Sequence, residues 1–330
     1  MLRARELAVA SIAVAGFLYA GAAVAAEKKV IGLAWNAKEN AIVLAWERYM
    51  QQEAEIQGPE AGFDLEFVIN VADADPTRQA ANIEDLINQD VDVIIARGED
   101  SAAIGASIRA AARAGIPFIT FDKTSSTSQP DAHVGGDTYN QAITTSEAFV
   151  KMIEDKGIQA KCIELQGALK DNNAVYRHDA WHLVTDKSDS VETLQTVPTE
   201  WNPEIFRSGT VNGFTAHPEA NCMFLASDFP ISAVRAALES LDRWAPVGEP
   251  NHVYIATQDL FPEAVTLMEQ GYLDVGTTYD AFEQAQEAIR VAIVLMNGGD
   301  PECSDRGCLK SGRVVTPENI GQIENHWAKE

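Results

Sequence analysis

Along most of the chain, short apolar runs alternate with longer stretches whose apolar residues recur at three- and four-residue intervals. Val30-Ile31-Gly32-Leu33-Ala34 reads as a buried strand, and residues 65–71, 91–96 and 117–121 read the same way. Between them, Ala80, Ile83, Leu86 and Ile87, then Ile104, Ile108, Ala111 and Ala112, fall at helical spacing. Pro76 precedes the first of these helices and Gly115 follows the second, each at its favoured end. Strand and helix repeated in this way predict a parallel sheet with helices on both faces.

The alternation then restarts. Residues 161–166, 192–197, 222–227 and 252–257 predict a second set of strands separated by helical runs. One unit overlays another: residues 92–96, an Ala-rich helix and 118–122 match residues 222–226, an Ala-rich helix and 254–259. Both units close on an aspartate at the carboxyl end of a strand, Asp122 and Asp259. In open α/β sheets that edge is where ligands bind. The predicted fold class is α/β, with two doubly wound parallel-sheet lobes bringing Asp122 and Asp259 to opposite walls of one cleft. The rival role for each is capping the next helix.

Residues 1–26 depart from this pattern. Met1-Leu2-Arg3-Ala4-Arg5 is basic, an apolar run follows to Ala20, and Ala23-Val24-Ala25-Ala26 precedes Glu27-Lys28-Lys29. This is the form of a cleavable secretory signal, with cleavage near Ala25-Ala26 and a soluble periplasmic product expected. A membrane anchor is the rival reading. About 300 residues then remain, enough for two domains. Hydrophobic residues make up 46% and charged residues 22% of the 330-residue chain, a globular composition. The net charge of -24 disfavours nucleic acid and anionic membrane surfaces as partners. Of the four cysteines, Cys303 and Cys308 flank Ser-Asp-Arg-Gly, and a small-loop disulfide is expected there. Cys162 and Cys222 fall near strand starts and are expected as buried thiols.

Several segments, in this order, resemble the ribose- and xylose-type periplasmic sugar-binding proteins of bacterial ABC transporters (the type I periplasmic binding fold). They are residues 30–34, Gly115-Ile116-Pro117-Phe118-Ile119-Thr120-Phe121-Asp122-Lys123, Ile163-Glu164-Leu165-Gln166-Gly167, Asp171-Asn172-Asn173-Ala174 with Arg177, Thr257-Gln258-Asp259 and Thr316-Pro317-Glu318-Asn319-Ile320. Together they span nearly all the chain beyond residue 26. The resemblance implies a three-strand hinge, with crossings near Gly136-Asp137, near Tyr279-Asp280 and between about Pro301 and Gly312. Lobe 1 would hold residues 27–136 and 280–308, and lobe 2 residues 137–279 and 309–330. It also implies a cleft that closes on a monosaccharide or polyol and delivers it to ABC permease subunits. A monomer without cofactor is expected.

A sugar offers hydroxyls at its edge and C–H groups on its faces, so carboxylates, amides, Arg and aromatic rings suit it. The predicted strand ends and the resemblance supply Asn36, Asn40, Asp122, Lys123, Asn173, Arg177, Trp201, Asp228, Asp259 and Tyr279 as ligand-binding candidates. Each has a plainer alternative. Asn36 and Asn40 suit helix caps, Asn173 a turn, Arg177 a surface ion pair and Trp201 loop packing. Trp46, Tyr49 and Trp181 read as core. Where the ribose branch has two consecutive Phe residues this chain has Ile42-Val43, and Lys123 replaces an Arg. Ribose itself is thereby disfavoured; a xylose-like pentose, another aldose or a polyol stays open. Stacking must then come from Trp35, Trp201 or Tyr279.

Other function classes find little support. There is no Gly-x-Ser-x-Gly elbow, P-loop or Gly-x-Gly-x-x-Gly after the first strand. His178 and His182 share i, i+4 spacing, yet the sequence shows no third metal ligand beside them. A sensor feeding a chemoreceptor or histidine kinase would use the same cleft and is the main alternative.

Overall fold

The computed structural model describes residues 26–38, 40–323 and 327–329. The proposed signal, apart from Ala26, lies outside them. Among the described residues no helix is long and apolar enough to cross a membrane.

The first half builds one sheet. In chain order come β1 (Glu27–Trp35), α1 (Ala41–Glu60), β2 (Phe63–Val71), α2 (Pro76–Asn88), β3 (Val93–Ala96), α3 (Ile104–Ala114), β4 (Phe118–Phe121) and β5 (Ala132–Gly136). Alternation along the central strands sorts side chains to two faces. Ile94, Ala96 and Phe118 pack with Ile83, Leu86, Ile104 and Ile108 of α2 and α3. Val93, Ile95, Ile119 and Phe121 join a core with Val43, Trp46 and Met50 of α1. Asp75 caps α2 just ahead of Pro76. Gly115 ends α3 in the left-handed region at φ 75°, where a Cβ would be costly.

The second half comprises α4 (Thr138–Asp155), β6 (Ala160–Gln166), α5 (Asn172–Thr185), β7 (Val191–Pro198), α6 (Pro203–Ala216), β8 (Cys222–Leu225), α7 (Ile231–Ser240), β9 (Tyr254–Thr257), α8 (Pro262–Glu269) and β10 (Gly276–Thr277). Its parallel sheet runs β7-β6-β8-β9. Phe149 and Trp181 cover one face, with Trp181 stacked on Phe224 at 4.5 Å. Phe206, Phe214, Val234 and Leu267 cover the other.

The chain then returns. α9 (Ala281–Met296) packs on α1, and β11 (Cys308–Lys310) pairs with β5, completing the sheet order β11-β5-β4-β3-β1-β2. β12 (Val314–Val315) pairs antiparallel with β10 beside the second sheet. The backbone therefore passes between lobes three times: at Asp137, between β10 and α9, and between β11 and β12. The last passage falls after Lys310, not at the expected 308/309 boundary, because Leu309 and Lys310 are in register with Gly135 and Gly136.

Cys303 and Cys308 form a disulfide. So do Cys162 and Cys222, which overturns the expectation of free thiols. The two are directly opposed in the β6–β8 register, with Cα atoms 4.3 Å apart. Their sequence positions near two strand starts do not show that those strands are neighbours.

Candidate functional site

The carboxyl ends of both sheets border one cavity of about 520 Å³. That lies within the range of about 300–1,000 Å³ usual for small-molecule sites. Asn36, Asn40, Asp122, Lys123, Asn173, Arg177, Trp201, Asp259 and Tyr279 all line it.

Asn36 follows β1 and Asp122 follows β4, and Arg97, after β3, ties them together. Its Nη1 donates to Asn36 Oδ1 at 2.6 Å and its Nε to Asp122 Oδ2 at 2.6 Å. Asn36 Nδ2 donates in turn to Glu99 Oε2 at 2.9 Å. Asp122 therefore caps no helix. Its other oxygen accepts from Tyr279 Oη at 2.6 Å and Asn173 Nδ2 at 3.2 Å. Burial and the Asp122 charge push the Tyr279 phenol well above its ordinary value, so it remains a donor. Asn40 keeps the plainer role too, accepting from Val43 N at 3.4 Å as the α1 cap while it borders the cavity.

In the second lobe Arg177 donates to Asp259 with both terminal nitrogens, at 3.1 and 2.5 Å, and to Ala226 O at 2.6 Å. Ser227 Oγ also donates to Asp259, at 2.5 Å. The guanidinium lies 5.5 Å from the Tyr279 ring centre. Arg177 Nε is buried and, among the described residues, has no hydrogen-bond acceptor.

Asp228 requires a correction. It is absent from the cavity lining: past the end of β8 its carboxylate turns to the β9–α8 connection instead. Its carboxylate accepts from Leu260 N at 3.1 Å, Phe261 N at 2.8 Å and Thr257 Oγ1 at 3.1 Å. Burial, then the charge of Asp259, push this carboxyl well above the usual carboxylate range. Asp228 holds the turn that carries Asp259. Trp35 is also core: it is fully buried, lies parallel to Trp46 and donates to Glu47 Oε2 at 2.7 Å. Trp46, read as core, both packs there and lines the cavity beside the Arg97 guanidinium.

The lobes meet across the cavity. Lys123 Nζ pairs with Asp171 Oδ2 at 3.0 Å, and Lys170 Nζ with Glu99 Oε1 at 2.9 Å. Asn172 Nδ2 donates to Thr124 Oγ1 at 2.8 Å, and Asn173 Nδ2 to Asp122 O at 3.0 Å. Although burial opposes its ionisation, Lys123 and Arg97 hold Asp171 below its ordinary value. Arg97, Glu99, Lys170, Asp171, Phe229 and Phe261 are lining residues that the sequence reading missed. Arg97 and Glu99 were findable, since they follow a strand end just as Asp122 does.

Backbone strain gathers here. Ten described non-glycine residues have positive φ, and six of them line the cavity: Asp73, Ala74, Asp122, Glu200, Trp201 and Asp259. Such conformations persist where surrounding structure enforces them, commonly at binding sites.

A family model described as a periplasmic binding protein domain matches residues 31–300. The chain belongs to that family. This family member is 25% identical to the ribose import binding protein of Bacillus subtilis (strain 168), over 60% of its own length and 61% of that protein's. It thus spans less than two thirds of that relative. It is 25% identical to a putative rhizopine-binding protein of Rhizobium meliloti over 80% of its length and 83% of the relative's. A solved ABC transporter solute binding protein from Bacillus halodurans C-125, with bound myo-inositol, superposes with a TM-score of 0.79 at 23% identity. That match covers 90% of this chain and 97% of the other, and supports the type I periplasmic binding fold.

In this family member Trp201 is seated by Gly167, where an added Cβ would overlap the indole. Trp201 Nε1 donates to Asp171 Oδ2 at 2.9 Å, so the ring has little room to retreat. Gly167→Ala is expected to lower stability by about 1–3 kcal/mol through overpacking and to shift tryptophan emission. Unfolding and emission identical to wild type would show that the indole is not confined.

Proposed function

We propose that this protein captures a monosaccharide or cyclic polyol between its lobes and delivers it to an ABC permease. The observation that carries the reading is the meeting of Asp122 from one lobe with Arg177 and Asp259 from the other at one cavity. Carboxylates that accept, an Arg Nε that can donate and Asn amides that do both match alternating ring hydroxyls. Trp46, Trp201, Phe229 and Phe261 offer apolar surface for the sugar's C–H faces. The names of the similar ribose import and rhizopine-binding proteins support this chemical class. Ile42 at the cavity wall and Lys123, already paired with Asp171, depart from the ribose-type pattern. They favour a xylose-like pentose, another aldose or an inositol-like ring over ribose.

A thermal-shift panel of pentoses, hexoses and cyclitols tests the ligand class. At 100 times its dissociation constant a true ligand adds about 2.7 kcal/mol of stability. Uniformly flat responses across the panel would reject the reading. Loss of uptake of that sugar on gene deletion, without loss of chemotaxis or induction, is the outcome expected for permease delivery.

A further inference from the structure

Glu164 is the one carboxylate on strand β6 whose side chain is wholly enclosed, and neither the cavity nor the hinge uses it. It meets two imidazoles from α5. His178 Nδ1 lies 2.8 Å from Oε1 and His182 Nε2 lies 3.1 Å from Oε2. The histidines are one helical turn apart, with ring centres 4.5 Å from each other. One potential ligand atom from each of the three residues falls within 4.8 Å of the other two. The sequence shows the His pair, but only the pairing of β6 with its helix brings in the carboxylate.

We infer that Glu164, His178 and His182 form a binding site for a divalent transition-metal ion, with Zn²⁺ the best match. Two imidazole nitrogens and one carboxylate oxygen make a donor set well suited to zinc. The outer groups fit as well. Asp186 Oδ1 lies 3.1 Å from His182 Nδ1, so it can hold the proton there and leave Nε2 bare toward Glu164. Thr196 Oγ1 donates to Glu164 Oε2 at 2.7 Å and fixes the carboxylate from β7. The His178 and His182 side chains are 31% and 27% exposed, which leaves an entry path from solvent. The plainer arrangement is a hydrogen-bonded His–Glu cluster without metal, and the two are separable by experiment. A bound ion would pin α5 to β6 just beside Arg177, the helix residue that faces the cavity.

The test uses the full mature protein, stripped with a chelator and titrated with Zn²⁺ against a fluorescent chelator. The expected result is one equivalent bound, a rise in the unfolding midpoint, and visible d–d absorption of four-coordinate type when Co²⁺ is substituted. His178→Ala and His182→Ala should each weaken Zn²⁺ binding at least tenfold. Both histidines are partly exposed, so these variants should fold, and circular dichroism checks that they do. Asp186→Asn should weaken binding by about tenfold, the low end of the outer-shell range, because the amide oxygen can still accept from Nδ1. No stoichiometric binding, or binding unchanged in both histidine variants, overturns the site.

Discussion

Arg177→Met is expected to abolish ligand capture and to cost about 3–5 kcal/mol of folding stability. The guanidinium makes three hydrogen bonds, two of them to Asp259, and is 4% exposed. Removing it strands the Asp259 carboxylate in the protein interior with Ser227 Oγ as its remaining polar neighbour among the described bonds. It also leaves Ala226 O without its donor. Methionine nearly preserves side-chain length, so the loss is one of charge and hydrogen bonding rather than volume. Arg177→Met with Asp259→Asn should recover much of the stability, because the orphaned charge is gone, but none of the binding. Urea unfolding and calorimetric titration with the panel's best ligand measure the two effects. A single variant that binds normally would take Arg177 out of the ligand's reach.

Acid should weaken the fold through His133. This residue lies on β5, buried, with Nδ1 3.0 Å from Thr120 Oγ1 and 3.1 Å from Thr120 O. Burial lowers the imidazole to about 4, against the opposing influence of the Asp122 carboxylate and the Thr120 carbonyl. An unfolded histidine takes up its proton near 6.5, so between those values the unfolded chain binds more protons and stability falls as pH falls. From pH 7 to pH 4 this one group removes about 3 kcal/mol. Asp228, raised by burial and then by the Asp259 charge, acts in the opposite direction, adding stability as pH falls toward its ordinary value. His182, raised to about 9, contributes stability that is lost above neutral pH instead. Comparing wild type with His133→Gln across pH 4–7 isolates the histidine. Parallel stability curves for the two proteins would show that His133 is not the acid-sensitive group.

Much of the fold was legible because the central parallel strands are short, continuous apolar runs, and signals such as Pro76 at the start of α2 and Gly115 at the end of α3 mark helix ends. The paired aspartates were legible for the same reason: each ends a strand whose end is marked by a change from apolar to charged residues. Asp228 follows a strand end too, yet it faces the β9–α8 turn. Sequence shows that a residue sits on an edge, but the local twist and alternation decide which way it points. Asp171 and Lys170 were hidden differently, since they lie in the loop before α5 and reach Lys123 and Glu99 only after the two lobes meet. The Cys162–Cys222 link shares this cause, because strand adjacency β6–β8 skips over β7 in chain order.

The return of α9 and β11 to the first sheet bears on how such a chain is made. While the ribosome has delivered only the first 280 residues, β5 has a bare edge, and the surface later covered by Ile289 and Ala292 is open to water. The amino-terminal sheet is therefore finished late, by residues 308–310. Until residues 281–310 have been made, the five strands β5-β4-β3-β1-β2 keep one edge and one apolar face without their final cover.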